Sequence, residues 1–270
     1  MTILTKSFCK KHPQIVSNSL DGKYSIELYD AINDVEEAWS SVASVHDLFF
    51  SPDFLRCIEK FPASGITPYY GIVKEKNVAV GIIYFQSKYV RLKDNLRKPG
   101  SEPKNTLEKL TEPFRHAVVG TLNFHTIICG NLLLTGKYGF YFKDSVTRDE
   151  QFYLVIKATD KLSAFLKKQD IKPGLILIKD FFTDDTPASG EYHQGFTKFT
   201  VQPKMLLELK PEWKTFDDYL DDMKSKYRVR ARKAQQKASD ITKVVFNEEE
   251  IANHRDTINA LYKNISDQAD

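Results

Sequence analysis

The sequence predicts a mixed α+β (α/β) protein on three observations. Strand-like alternation and helix-like periodicity take turns along the 270 residues. Two apolar runs joined by the polar stretch "KEKN" read as an antiparallel hairpin. The opening order of strand, helix, helix and strand comes back after residue 205. A hydrophobic content of 41%, with 18 Phe and 13 Tyr, is that of a chain with a buried core and argues against disorder.

The elements follow in order. Residues 1–22 are polar and weakly periodic, and are expected to form an N-terminal arm. "YSIELYD" alternates like a strand, and "DVEEAWSSVASVH" sets Val35, Trp39, Val42 and Val45 on one helical face. In "SPDFLRCIEKF", Ser51 is placed to cap a helix with Pro52 at its first position. The hairpin "PYYGIVKEKNVAVGIIYFQ" comes next. Residues 87–120 mix charges with Pro99, Gly100 and two further prolines and read as an insertion, with a short helix near Leu107. "HTIICGNLLL" is a strand, bent or bulged at Gly130. A long helix then opens at Thr147, which with Glu150 forms a capping box, and lines up Val155, Ala158, Leu162 and Phe165. "PGLILIKDF" has the composition of a buried strand, and "FTKFTVQPKMLLELK" supplies closing strands.

The second series runs "MLLEL" (strand), "FDDYLDDM" and "SKYRVRARKAQQKA" (helices), "ITKVVF" (strand) and "NEEEIANHRDTINALYKNISDQAD" (helix). The expected organisation is an arm over 1–22, a first module over 23–205 carrying the 87–120 insertion, and the first half of a second module over 206–270. Within the second series, Lys224 to Lys237 holds seven cations and no acid. Thr215 and Ser225 are the expected caps of the two helices, with Asp217 and Asp218 complementing the first helix dipole. Tyr227, Ala231, Ala234 and Ala238 fall in one stripe that could lie close against a support. Lys226, Arg230, Lys233 and Lys237 cluster on one flank, with Lys224, Arg228 and Arg232 on the other. Like charges at i,i+4 cost a few tenths of a kcal/mol each. Either a solvated surface helix or a phosphate-binding surface fits this pattern, since Arg offers bidentate donors to phosphate oxygens. With a net charge of only +3, the basic run is a local feature and does not make the whole molecule a nucleic-acid binder.

The phrase W-x-x-F-x-x-Y-L-x-x-M-x-S-K-Y-R-x-x-x-R-K-A from Trp213 resembles a motif of GNAT-type acyltransferases. The resemblance is nearest to the branch of the FemAB peptidoglycan-bridge enzymes and peptidogalycan biosynthesis proteins. It rests on Trp213, Phe216, Tyr219, Leu220, Ser225, Lys226, Arg228, Arg232 and Ala234 and on the order of elements after about Lys23. It implies GNAT-like modules, each a central, mixed but mostly antiparallel sheet flanked by helices, in tandem. It also implies a bacterial N-acyltransferase that moves an acyl or aminoacyl group from a CoA thioester or aminoacyl-tRNA to an amine, such as one on a cell-envelope precursor. Lys226, Arg228, Arg232 and Tyr219 are the anion- or substrate-binding residues so implied, with acyl-CoA or aminoacyl-tRNA as co-substrate and tRNA a possible partner. The family's Q/R-x-x-G-x-G/A pyrophosphate loop has no intact counterpart. "LLTGKYGFYF" places Gly136 and Gly139 off its spacing, as in an ordinary turn, and in the second module the loop would fall after Asp270.

No catalytic residue can be named from the sequence. The six histidines lack metal-ligand spacing, so no metal is expected. His125 opens an apolar strand, and His193 lies in a loop where it could reach a cleft. Cys9, Cys57 and Cys129 read as free thiols, Cys129 as a small buried hydrophobe. The N-terminus lacks an apolar signal core, and no run approaches the roughly 18 apolar residues of a membrane span. The expectation is a cytoplasmic protein. The rival to the enzyme is a non-catalytic protein that binds phosphate, nucleic acid or a partner through helix 224–237.

Overall fold

A computed structural model describes residues 15–19, 22–43, 47–63, 65–91, 123–180, 196 and 207–268. The chain divides into two compact units, Met1–Phe196 and Thr197–Asp270.

The first unit is a mixed sheet with helices on both faces. Its strands are β1 (Ile15–Ser19), β2 (Tyr24–Tyr29), β3 (Ile66–Glu75), β4 (Val78–Arg91), β5 (Asn123–Cys129), β6 (Phe140–Phe142) and β7 (Pro173–Ile178). The order is β1-β2-β3-β4-β5-β7, with β6 paired to β4. Every pairing is antiparallel except β5 with β7. That parallel pair needs a crossover, supplied by helix α3 (Arg148–Lys168). Helices α1 (Glu36–Ser40) and α2 (Pro52–Lys60) come between β2 and β3.

Period-two alternation divides the core. Ile26, Leu28, Tyr69, Val73, Ile83, Phe85 and Ile127 pack with Leu154, Val155, Ala158 and Leu162 of α3. Tyr29, Tyr70, Ile72, Ile82 and Tyr84 pack with Ile32, Val35, Trp39, Phe50 and Leu55 of the α1–α2 region. Trp39 anchors that second cluster: it is fully buried, its indole N–H donates to the Phe50 carbonyl at 2.8 Å, and its ring meets Tyr70 edge-on at 5.5 Å.

Local chemistry explains the well-placed elements. Lys76 and Asn77 both take positive φ (48° and 66°) in the two-residue turn between β3 and β4, a conformation matched to strand twist and one that Asn tolerates. Ser51 caps α2 by accepting from the Phe54 N–H, with Pro52 at the first helical position. Thr147 and Glu150 close the capping box of α3.

Several expectations need correction. The arm contains β1, which pairs along β2. The Trp39 helix is one short turn after a 3-10 turn at Ile32–Asp34, because the serine-rich segment ends it and the Ser41 hydroxyl donates to the Ala38 carbonyl. Residues 87–91, assigned to the insertion, continue β4, while the proposed Leu107 helix lies outside the described residues. β5 stops at Cys129: Gly130 ends the strand, with a φ of 133°, instead of bulging it. β6 carries no sequence signal beyond three aromatic residues. β7 is half-exposed and, among the described residues, lies at the sheet edge; its Leu175 is 47% exposed, so its apolar composition does not mark a central strand.

The second unit is described as α4 (Phe216–Asp222), α5 (Ser225–Lys237), α6 (Glu248–Asn253) and α7 (Arg255–Ser266). Thr215 caps α4, as expected, and also closes a box with Asp218. α5 starts one residue early: Lys224 holds the cap position without a side-chain cap, and Ser225 is already helical. The terminal helix breaks at His254, whose ring stacks on Phe246 at 4.7 Å. Neither expected strand forms among the described residues. Residues 207–209 and 241–246 have no sheet partner there, and their apolar side chains are exposed. Residues 197–206, the remainder of the expected closing strands, lie outside the described residues.

Candidate functional site

The most distinctive geometry of the first unit lies along one edge of β4. Residues 85–91 of β4 pair with β5, and residues 81–83 pair with β6, both antiparallel. β5 and β6 are therefore successive segments of one strand line, interrupted by the excursion 130–139. At the junction, the Tyr84 N–H donates to the Gly139 carbonyl at 2.7 Å and the Gly130 N–H donates to the Tyr84 carbonyl at 3.1 Å. Close packing fixes the two ends of the loop. A Cβ on Gly139 would stand 3.2 Å from the Cys129 backbone, and one on Gly130 would stand 2.6 Å from the Lys179 side chain.

A second set of bonds pins the loop to the end of β7. The Lys179 ammonium donates to the carbonyls of Asn131 and Leu134, each at 2.9 Å, and pairs with Asp180. Its three donors are thereby used, so Lys179 acts as a strut. Asp180 accepts from the Gly136 N–H at 3.2 Å. Inside, the buried Gln86 donates to the Tyr84 hydroxyl and accepts from the Leu132 N–H at 2.8 Å.

The excursion creates two adjoining hollows. The first, of about 330 Å³, lies at the start of α3 and takes in Lys137, Phe140, Tyr141, Arg148, Gln151 and Lys179. It lies beyond the carboxyl ends of the parallel pair, where open α/β sheets place ligands. The second, of about 610 Å³ and shallower, takes in Asp47, Phe49, Phe50, Lys137, Tyr138 and Tyr141. Lys137 and Tyr141 line both.

At the first hollow, four of the backbone N–H groups around the start of α3 are already engaged. The N–H groups of Val146, Thr147, Glu150 and Gln151 are directed to Lys143 O, the Glu150 carboxylate, Thr147 Oγ1 and Thr147 O. Asp149 and Glu150 also add negative charge to the first turn. An anion there would meet the side chains of Lys137 and Arg148. Gly136 and Gly139 serve the turn, as the sequence suggests.

The sequence-derived residues lie in the second unit. The Arg228 guanidinium donates to the Asp221 carbonyl at 2.7 Å, and Arg232 donates to the Asp221 carboxylate at 3.0 Å, tying α5 to the end of α4. Tyr219 packs edge-on against Trp213 at 5.0 Å. Lys226 is exposed, as are Lys224, Arg230, Lys233 and Lys237. The alanine stripe is not a buried seam: Tyr227 is 53% exposed, and Ala234 and Ala238 are open. The structure thus joins Arg228 with Arg232 through Asp221 and leaves Lys226 on the opposite flank.

Of the other candidates, Cys129 is fully buried, and burial pushes its thiol pKa up. His125 is half-buried beside the Tyr89 ring. His193 lies outside the described residues. Among the described residues there is no cluster suited to a metal ion and no helix long and apolar enough to cross a membrane. Asp47, Lys137, Tyr138, Tyr141 and Arg148 were not identified from the sequence. The paired aromatics of "DLFF" and "YGFYF" were a signal, but only the tertiary fold brings those segments together.

No family model matches the sequence, and no curated protein matches it. Among solved structures the chain is similar to the aminoglycoside N-acetyltransferase AAC(6')-Iy in complex with CoA, at 12% identity over 70% of this chain and 95% of that one, with a TM-score of 0.33. It is also similar to a ribosomal-protein-alanine N-acetyltransferase from Brucella melitensis biovar Abortus 2308, at 8% identity over 69% of this chain and 99% of that one, with a TM-score of 0.32. A likeness at these scores assigns no chemistry to this chain.

Proposed function

We propose that the first unit is an N-acyltransferase of the GNAT type. The single observation that carries this reading is the pair of adjoining hollows that share Lys137 and Tyr141 at the interrupted β5–β6 line. Acyl transfer needs two substrates to meet, and a shared wall between a cationic hollow and an aromatic, acid-bearing one provides a meeting place. Lys137 and Arg148 would hold the anionic carrier of an acyl thioester or aminoacyl ester by charge-assisted bonds. The amine would enter from the side of Asp47 and Tyr138. Its nitrogen bonds to the acyl carbon, the carbon–sulfur or carbon–oxygen bond breaks, and the proton lost by the amine balances the one gained by the leaving group. A cell-envelope precursor or a small amine fits as acceptor.

The test is amine-dependent release of thiol from a panel of acyl-CoA esters, with aminoacyl-tRNA deacylation as a second arm. K137M and R148M should each lower kcat/KM for the donor by about 10-fold or more, the usual scale for a bond to a charged group. Absence of turnover with every donor and amine sinks the reading.

A second reading rests on the exposed flank Lys226, Arg230, Lys233 and Lys237 of α5. We propose this flank as the polyanion-binding part of the residue set suggested by sequence, since Arg228 and Arg232 are occupied by Asp221. Binding of single-stranded nucleic acid that weakens steeply with salt supports it. Salt-independent binding, or none, counts against it.

A further inference from the structure

We infer that the hollow formed by Asp47, Phe49, Phe50, Tyr138 and Tyr141 recognises an organic ammonium ion, selecting its ligand by positive charge as well as by shape. This inference rests on the acyltransferase reading for its place in the reaction, as the seat of an acceptor that binds as the ammonium ion and attacks after giving up a proton to solvent, but its physical basis is separate. Phe49 meets Phe54 and Tyr138 edge-on, with ring centroids 5.2 and 5.0 Å apart, and Phe50 lies 5.9 Å from Tyr138. These rings touch one another and line the hollow as one cluster; an edge-on contact covers only one face of one of its two rings, and an uncovered ring face attracts a cation within about 6 Å.

A carboxylate sits in the same wall. Asp47 is half-buried and is held there because its Oδ1 accepts the Phe49 N–H at 3.0 Å, which caps the 3-10 turn Leu48–Phe50. Burial raises the Tyr138 phenol pKa, and the Asp47 charge raises it further, so the field of the carboxylate reaches the far side of the hollow's lining. Rings with one fixed carboxylate are the chemistry of an ammonium cage, whereas a purely apolar ligand would gain nothing from Asp47.

Lys137 lies in both linings and opposes a cation in this hollow while favouring an anion in the other. Removing its charge should therefore move the two affinities in opposite directions. Such a crossed effect would not arise from general loosening of the loop.

The experiment is calorimetric titration of the full chain with choline and with its neutral isostere 3,3-dimethylbutan-1-ol, without acyl donor. Choline should bind at least 10-fold more tightly than the alcohol. D47N should remove most of that preference and keep the melting temperature, because Asn retains the oxygen that accepts the Phe49 N–H. K137M should tighten choline binding about 3-fold, and in a separate titration with coenzyme A it should weaken binding. Equal affinity for the two probes, a D47N chain that still prefers choline, or no binding of either at 100 mM would overturn the inference. Because no donor is present, an ammonium preference without acyl transfer would reject the catalytic reading alone, and transfer without that preference would reject this one alone.

Discussion

The two units of this chain have secondary structure of similar local quality and very different cores. In the first, both sheet faces are covered, and residues such as Trp39, Ile26, Ile82 and Leu154 are sealed from water. In the second, Leu220 is the one fully buried hydrophobic side chain among the described residues, while Leu207, Leu209, Val245, Leu261, Tyr262 and Ile265 are each at least 60% exposed. Helix caps are present in both: Thr147–Glu150 in the first, Thr215–Asp218 and Asn247–Glu250 in the second. A cap satisfies backbone groups locally, which is why it forms without a core. A strand cannot do so alone. "ITKVVF" has strand composition yet stays unpaired among the described residues, because a strand's N–H and C=O groups need a neighbour.

The largest effect should come from the first unit's core. W39A should cost about 3–5 kcal/mol, from the cavity left and from the Phe50 carbonyl losing its donor. The readout is the denaturant midpoint; a shift below about 1 kcal/mol would show that the Trp39 cluster is not the cooperative centre.

An intermediate effect concerns acid stability. Burial acts to raise the Glu150 pKa, but hydrogen bonds from Lys23 and from the Thr147 cap outweigh it and hold the carboxyl at about 2, below its ordinary 4.5. A depressed carboxyl contributes stability above its unfolded value and loses it on protonation. That contribution is therefore complete at neutral pH and fades as pH falls from about 4.5 through 2. E150Q should flatten the acid limb of a melting-temperature profile, and an unaltered limb would show that the contact with Lys23 has no thermodynamic weight.

The smallest effect is expected in the second unit. L261Q should change stability by no more than about 0.5 kcal/mol in the isolated chain, since the side chain is 60% exposed. A loss of several kcal/mol would mean that α7 is covered in solution and would erase the contrast between the units.

Much of the first unit is readable from local pattern. The Ser51–Pro52 helix start, the Lys76–Asn77 turn, the Thr147 cap and the helical face of Val155, Ala158 and Leu162 are each dictated by residues within a few positions of one another. The candidate site is much less readable. The cationic helix of the second unit was conspicuous because charge runs show in one dimension, whereas Asp47 and Tyr138 of the candidate site are 91 residues apart in the sequence and come together only in the folded first unit.

The sequence by itself determined the mixed α+β class, the starts of α2, α3 and α4 and the main hairpin, because periodicity and capping are short-range and each satisfies its hydrogen bonds locally. Tertiary structure alone decided that β5 and β6 share one edge of β4, that β7 runs parallel to β5, and that the loop between β5 and β6 opens two hollows with a common lysine and tyrosine. Those outcomes depend on which distant strand satisfies which backbone edge, and alternation along a chain records the face a residue takes but not the neighbour it finds.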